Sequence, residues 1–487
     1  MTATDVIMQA FNEFGRVLEL VGSVPAAAVV PAGLKTMVAD LSGVVGISAG
    51  EIKMFLCLML AYPLGVVWRH LPTPTAKHMF STVVGLYMLM FVYGFQWIHV
   101  VICASIAYLI MKVGGPNSRH ITAAVVLLYL ACMHIYRQII DYLGWTIDVT
   151  FALMVVTQKL HGLAFNYYDG NCENPTDDQK ALSTEKLPSL LEFFSFLLFP
   201  SGVIMGPCVE FTDYMKFANG EVEIPSPYLA GLRRAGMGIF YFGLSQVISS
   251  YYPTQALLSD EKFLTSGNVL TRFGIQLIAL IGYRTRYYFA WKFSEGAMIL
   301  SGIGFNGIDK DSGKYRWDRV EAIDVRGFDF GQSLRQSAAA WNKTTNLWLK
   351  RYTYERVPSP LNLYFAYFVS AFWHGFYPGY YMFFMSMAVG TAVHRKIRRN
   401  VRPWFLAEDG KSPGKYKGVY DFFSFVLTHC TLMYFIISFV MLSWEASIRV
   451  YQSQYFIGHI LAVVLYIVLS LGIIRPPKGT TVEKKTQ

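Results

Sequence analysis

Apolar blocks about as long as a bilayer is thick recur along almost the whole of this 487-residue chain. A hydrocarbon core of roughly 30 Å takes about 20 apolar residues per helix. Blocks of that order lie near 52–68, 79–95, 97–113, 121–137, 146–163, 188–206, 235–252, 269–283, 287–303, 361–392, 421–442 and 455–474. They predict ten to twelve transmembrane or re-entrant helices, and so an all-α polytopic membrane protein. A content of 54% hydrophobic and 15% charged residues, with a mean hydropathy of +0.36, excludes an ordinary soluble enzyme.

A net charge of +10 would point to nucleic acid in a soluble protein. Here the cations flank apolar blocks, where the positive-inside distribution accounts for them without nucleic acid. The densest run, HRKIRRNVRPWFLAEDGKSPGKYK at 394–417, is expected in the cytosol, and two further helices return the C-terminus to that side. The tail ends Lys484-Lys485-Thr486-Gln487. Its lysine pair matches a dilysine retrieval signal, a receptor-read address for the endoplasmic reticulum membrane. Residues 1–50 then face the lumen and carry no signal-peptide pattern. The expected organisation is an N-terminal segment 1–50, one integral-membrane domain 51–475 and a cytosolic tail 476–487, with no internal repeat. Six cysteines, without CxxC or paired spacing, imply neither metal nor disulfide.

Within the run 361–393 stands a lone His374, in WHGFYPGYY at 373–381. About 33 helical residues would measure roughly 50 Å, more than one bilayer. Gly375, Pro378 and Gly379 are placed to break that helix, and basic flanks at 350–356 and 394–399 put the break at the deep end. Irregular backbone at membrane depth is tolerated where protein buries it or water reaches it, so a cavity around His374 is expected. The competing reading is a histidine satisfied by a neighbouring helix, or one at the lumenal interface among Phe376, Tyr377, Tyr380 and Tyr381.

The segment SLRQSAAAWNKTTNLWLKRYTYERV at 333–357 mixes apolar and basic residues at helical spacing, as an interfacial helix does. Asn342 within it is either a bland polar residue or a functional amide. It also begins an Asn-Lys-Thr sequon, but Lys343, Lys350, Arg351 and Arg356 argue for the cytosolic side, away from glycosylation. An HExxH zinc motif and a P-loop are both missing. Gly302, Gly304 and Gly307 spell GxGxxG without a βαβ unit, which reads as helix packing.

Taken together, WNKTTNLWLKRYTYERV (341–357) and WHGFYPGYY (373–381) resemble the membrane-bound O-acyltransferase family, in its lysophospholipid acyltransferase branch. PSLLEFFSFLLFPSGVIMGP (188–207), KFSEGAMILSGIGFNG (292–307) and RWDRVEAIDV (316–325) resemble the same branch in the same order, so the likeness covers roughly residues 50–475. The resemblance implies that family's fold around a central tunnel, with catalytic His374 and Asn342 at its middle. It also implies transfer of a fatty acyl group from acyl-CoA to the free hydroxyl of a lysophospholipid, mainly at sn-2, in phospholipid remodelling. Acyl-CoA, lysophospholipid and membrane lipids are then the partners. No metal or prosthetic cofactor is implied, acyl-CoA being a co-substrate.

The groups suit that chemistry. A neutral imidazole, whose ordinary pKa is about 6.5, can take the proton of an attacking hydroxyl. The Asn342 amide can bond a developing oxyanion, or hold the imidazole or the hydroxyl in line. Lys343, Lys350, Arg351 and Arg356 are candidates for the CoA phosphates, with the positive-inside rule as the competing account. Trp348, Trp373 and Tyr377 are candidate substrate-lining residues. Glu295, a carboxylate in an apolar run, is a candidate supporting residue by resemblance; the alternative is a pairing with Lys292 or Arg286 that holds helices together. A sterol, diacylglycerol or protein acceptor is the nearer rival activity. A secondary transporter is the rival class, against which stands the lack of a duplicated pair of broken helices.

Overall fold

The computed structural model describes residues 3–407, 409, 410 and 412–477, and these form an all-α chain; Lys484 and Lys485 lie outside them. Two compact units are distinguishable. One is built from residues up to Phe240 together with Phe289–Ala322, the other from Tyr241–Tyr288 and the chain from Ile323 onward.

The first unit opens with α1 (Ala3–Val29) and α2 (Ala32–Val45). Between them Pro31 takes extended backbone, φ −57° and ψ 137°, and the segments Gly15–Val29 and Ala32–Val45 meet at 96°. Residues 3–45 are thus helical, divided by Pro31 into α1 and α2. Next come α3 (Ala49–His70), α4 (Pro74–Tyr93), α5 (Trp97–Gly114) and α6 (Arg119–Ile140). Ser48 and Glu51 form a capping box on α3, and Thr73 caps α4 ahead of Pro74 in its first turn. Trp97 Nε1 donates to the Gly22 carbonyl at 3.0 Å, docking α1 at the foot of α5.

Helix α7 (Thr150–Asp169) is buried along most of its length, including the polar residues Gln158, Lys159, His161, Asn166 and Asp169. After α8 (Asp177–Leu182), the apolar block 188–206 does not form one crossing. It divides into α9 (Leu190–Leu197) and α10 (Pro200–Val203), since Pro200 cannot continue α9. The orphaned end of α9 is closed by the buried Lys159 ammonium, which donates to the carbonyls of Phe196 at 2.8 Å and Leu197 at 3.3 Å.

Beyond α11 (Phe211–Ala218) run α12 (Tyr228–Tyr251), α13 (Thr254–Ser259), α14 (Glu261–Thr265) and α15 (Val269–Leu300). The blocks 269–283 and 287–303, read as two crossings, are one 32-residue helix; Arg284 and Arg286 between them are good helix formers and interrupt nothing. The SGIGFNG run is a turn that ends α15 rather than a helix-packing face, with Gly302 at φ 95°.

The second unit continues with α16 (Val325–Asp329), α17 (Leu334–Ala340), α18 (Lys343–Tyr352), α19 (Leu361–His374), α20 (Pro378–Asn400), α21 (Lys417–Met441), α22 (Trp444–Ser453) and α23 (Ile457–Ser470). Helix α20 packs against α19, α21 and α23. Among the described residues, four helical stretches are long and apolar enough to cross a membrane: Ala49–His70, Pro74–Gly114, Pro116–Ile140 and Lys417–Met441. Counting each of two bent pairs as one span, the N-terminal pair and Trp444–Ser453 with Ile457–Ser470 at 79°, gives six. The other blocks in the predicted ten to twelve are short, broken or charge-bearing helices of the same all-α membrane architecture.

Candidate active site

The overlong run at 361–393 breaks inside WHGFYPGYY, and each residue of the break has a physical task. Helix α19 ends on His374, and Gly375 carries the chain away at φ 123°, a backbone conformation that side chains avoid. Pro378 opens α20 at the first-turn position that its ring favours. Gly379 donates its amide to the Leu442 carbonyl at 2.7 Å, and a Cβ on it would lie 2.0 Å from the Ser438 carbonyl oxygen. Only a glycine lets the start of α20 approach the end of α21 this closely.

His374 is half-buried. Its Nδ1 lies 2.7 Å from the carbonyl oxygen of Ser370, one turn earlier on α19. A carbonyl can only accept, so Nδ1 carries the hydrogen and the neutral ring has its lone pair on Nε2. The imidazole stands among aromatic rings: Tyr380 at 5.7 Å and Phe384 at 4.9 Å from α20, and Phe439 at 5.3 Å from α21. Helices α19 and α20 are tied further by Tyr367 and Thr391, whose hydroxyls are 3.1 Å apart.

Residues 333–357 are not one interfacial helix. They form α17 and α18, broken at Trp341 and Asn342. Trp341 takes extended backbone and its ring sits beside Phe328 at 4.7 Å, Tyr287 at 5.8 Å and Tyr288 at 6.0 Å. Long-range packing of the indole thus overrides local helix propensity. Asn342 follows in the left-handed region, φ 42° and ψ 58°, a conformation that asparagine tolerates better than most side chains. Its carbonyl accepts the Asn346 amide at 2.9 Å and so starts α18. Asn342 is half-buried.

The remaining candidates divide. Trp348 on α18 is buried and packs on Trp373, the residue before His374, with ring centroids 5.9 Å apart. Tyr377 is half-buried in the turn and lies edge-on to Tyr380 at 6.1 Å. Of the basic residues, Lys343 is half-buried at the start of α18, and Lys350 is exposed and pairs with Glu355 at 3.1 Å. Arg356 Nε donates to the Arg351 carbonyl at 3.0 Å, so the Arg356 side chain lies along the end of α18. Sequence reasoning named Tyr380 near His374 but missed Ser370, Phe384 and Phe439 as its partners. The four-residue spacing to Ser370 was a usable signal, because a helix brings a side chain over its own preceding turn. Nothing local marks Phe439.

Glu295 belongs to the first unit, on α15, and is almost fully buried. Lys292 Nζ lies 2.9 Å from its Oε2, Arg234 3.5 Å from the same oxygen, and the Ala322 amide donates to Oε1 at 2.9 Å. Glu321 joins the cluster, 3.4 Å from Lys292 and 3.2 Å from Arg234. Of the two partners considered from sequence, Lys292 is the one found. Arg286 instead bonds the Ser249 hydroxyl at 3.2 Å. Two cations and two carboxylates grouped together offset part of the cost of burying each.

A helical membrane protein that presents an imidazole acceptor at a helix break has a group able to take a proton from a hydroxyl. Known proteins identify the class. The model of the membrane-bound O-acyltransferase family matches residues 135–437. The chain is 33% identical to a Schizosaccharomyces pombe protein named lysophospholipid acyltransferase, across 91% of this chain and 90% of that one. It is 30% identical to the Saccharomyces cerevisiae lysophospholipid acyltransferase, across 85% and 73%, and 30% identical to the Rattus norvegicus membrane-bound glycerophospholipid O-acyltransferase 2, across 93% and 90%. The chain belongs to the membrane-bound O-acyltransferase family.

Proposed function

We propose that this protein is a lysophospholipid acyltransferase of phospholipid remodelling, in which His374 is the general base. Family membership and relatives so named over most of the chain's length support the activity. The observation that carries the residue assignment is the 2.7 Å contact from His374 Nδ1 to the Ser370 carbonyl, which puts the proton-accepting lone pair on Nε2. In the proposed reaction Nε2 takes the proton of the lysophospholipid's free hydroxyl, mainly at sn-2, as that oxygen attacks the acyl-CoA thioester carbon. The carbon–sulfur bond then breaks, and the imidazolium returns its proton to the departing CoA thiolate. The Asn342 amide is a donor for the tetrahedral oxyanion or an aligner of the hydroxyl. Lys343, Lys350, Arg351 and Arg356, grouped at and after α18, are proposed to meet the CoA phosphates at the cytosolic face.

The test is purified protein supplied with acyl-CoA and lysophospholipid, with thiol release and phospholipid formation followed together. His374→Ala is expected to lower turnover at least about a hundredfold, the lower range for a lost general base. Wild-type turnover by folded His374→Ala protein would end the assignment. Residence in the endoplasmic reticulum membrane with a cytosolic C-terminus is part of the same proposal. Replacing Lys484 and Lys485 by serine is expected to move the full-length protein out of that compartment, and unchanged residence would refute the retrieval role.

A further inference from the structure

The left-handed turn at Asn342 depends on where Trp341 is held, and Trp341 is held by a small polar device that the proposed reaction does not use. The indole lies against Phe328 and Tyr288. Tyr288 donates its hydroxyl to Asp329 Oδ1 at 2.9 Å, and Arg284, one turn earlier on α15, approaches the same oxygen at 3.0 Å. Asp329 is the last residue of the short helix α16, next to Phe328. Its carboxylate therefore fastens α16 to α15, and the two helices present the faces between which Trp341 is clamped. The next peptide bond places Asn342. The Asp324 amide also bonds the Ala340 carbonyl at 3.0 Å, joining the other end of α16 to the residue before the indole.

We propose that Asp329 is a positioning residue for Asn342: by accepting from Tyr288 and Arg284 it sets the Trp341 clamp and hence the orientation of the Asn342 amide. The inference rests on the reading of Asn342 as part of the reacting site. A carboxylate is suited to the task because one acceptor oxygen takes a hydroxyl and a guanidinium together, giving the clamp a single geometry. A misplacement near 1 Å in a reacting group costs about a hundredfold in rate, which sets the scale of the expected effect.

The experiment is a double-mutant cycle on the full chain, reading kcat and the KM for acyl-CoA by thiol release. Asp329→Ala is expected to lower kcat about 10- to 100-fold with KM within about twofold. In the Asn342→Ala background the same change is expected to cost about threefold or less, because the residue it positions is already gone. Asp329→Asn, which keeps an acceptor oxygen for Tyr288, is expected to recover most of the rate. Losses that multiply in full, or a raised KM with unchanged kcat, overturn the proposal. Near-wild-type turnover of Asn342→Ala alone overturns the underlying reading instead, and is recognised without any Asp329 variant. Where Asp329→Ala does not accumulate, Tyr288→Phe removes only the donor hydroxyl and leaves the ring against Trp341. An unchanged kcat in that variant overturns the proposal, and a loss that disappears in the Asn342→Ala background supports it.

Discussion

Trp348 and Trp373 pack ring against ring at 5.9 Å and 46°, joining the helix that begins after Asn342 to the helix that ends on His374. The two candidate catalytic residues are far apart in sequence, and this contact ties together the elements that carry them. Trp348 is 2% exposed, so its truncation would leave a large void. Trp348→Ala is expected to destabilise by about 3–5 kcal/mol and to lower kcat more than it raises the KM for acyl-CoA. Trp348→Phe should retain most of both. Thermal unfolding in detergent and steady-state kinetics would check this; a raised KM with normal stability would make Trp348 a substrate contact instead.

At Asn342 conformation and chemistry can be separated. Because the residue sits at φ 42°, Asn342→Gly relieves backbone strain of about 1–2 kcal/mol that Asn342→Ala must bear. The glycine variant is therefore expected to unfold at a higher temperature than the alanine variant while being equally inactive. A glycine variant with near-normal turnover would show that the backbone turn, and not the amide, is what the site requires.

Gly379→Ala puts a methyl group 2.0 Å from the Ser438 carbonyl oxygen and 2.7 Å from that of Leu442. Both are backbone atoms at the end of α21 and cannot swing aside. A cost of about 3 kcal/mol or more is expected, at the upper end for overpacking, together with reduced yield and a displaced His374 loop. Gly418→Ala is the control: it lies within α21 with open space around it and should be neutral or slightly stabilising. Equal melting temperatures for the two variants would refute the close-approach argument.

For Glu295 the cluster predicts a structural phenotype. Glu295→Ala leaves Lys292 and Arg234 with Glu321 as their shared anion in a buried place and is expected to cost about 3–5 kcal/mol. Glu295→Gln, which keeps an acceptor for the Ala322 amide, should cost less. Turnover per folded molecule should stay within about threefold of wild type in Glu295→Gln. If that variant melts normally but loses turnover a hundredfold, Glu295 acts on the reaction and the clamp reading fails.

Several of these features were legible before any coordinates, for identifiable reasons. The all-α membrane class follows from block length alone, because a bilayer imposes one dimension on every span. The break after His374 follows from arithmetic, since 33 residues exceed that dimension and Gly375, Pro378 and Gly379 mark where the excess is turned. Elsewhere the same arithmetic misled. The block at 188–206 divides at Pro200 and is sealed by Lys159 from a distant helix, while two blocks around Arg284 and Arg286 fuse into α15. Hydropathy weighs each residue by itself and has no means of registering a partner.

What the residues determined by themselves is thus the solvent of the protein, its family likeness and the two positions, His374 and Asn342, on which a chemical reading rests. Tertiary structure decided which rings surround His374, that Asn342 lies in a left-handed turn beside Trp341, and that Arg234 and the Ala322 amide join Lys292 around Glu295. The division has one physical cause. Membrane insertion responds to apolar length along the chain, a local quantity, whereas the rings around an imidazole and a charge's tolerance of burial depend on groups that only folding brings together.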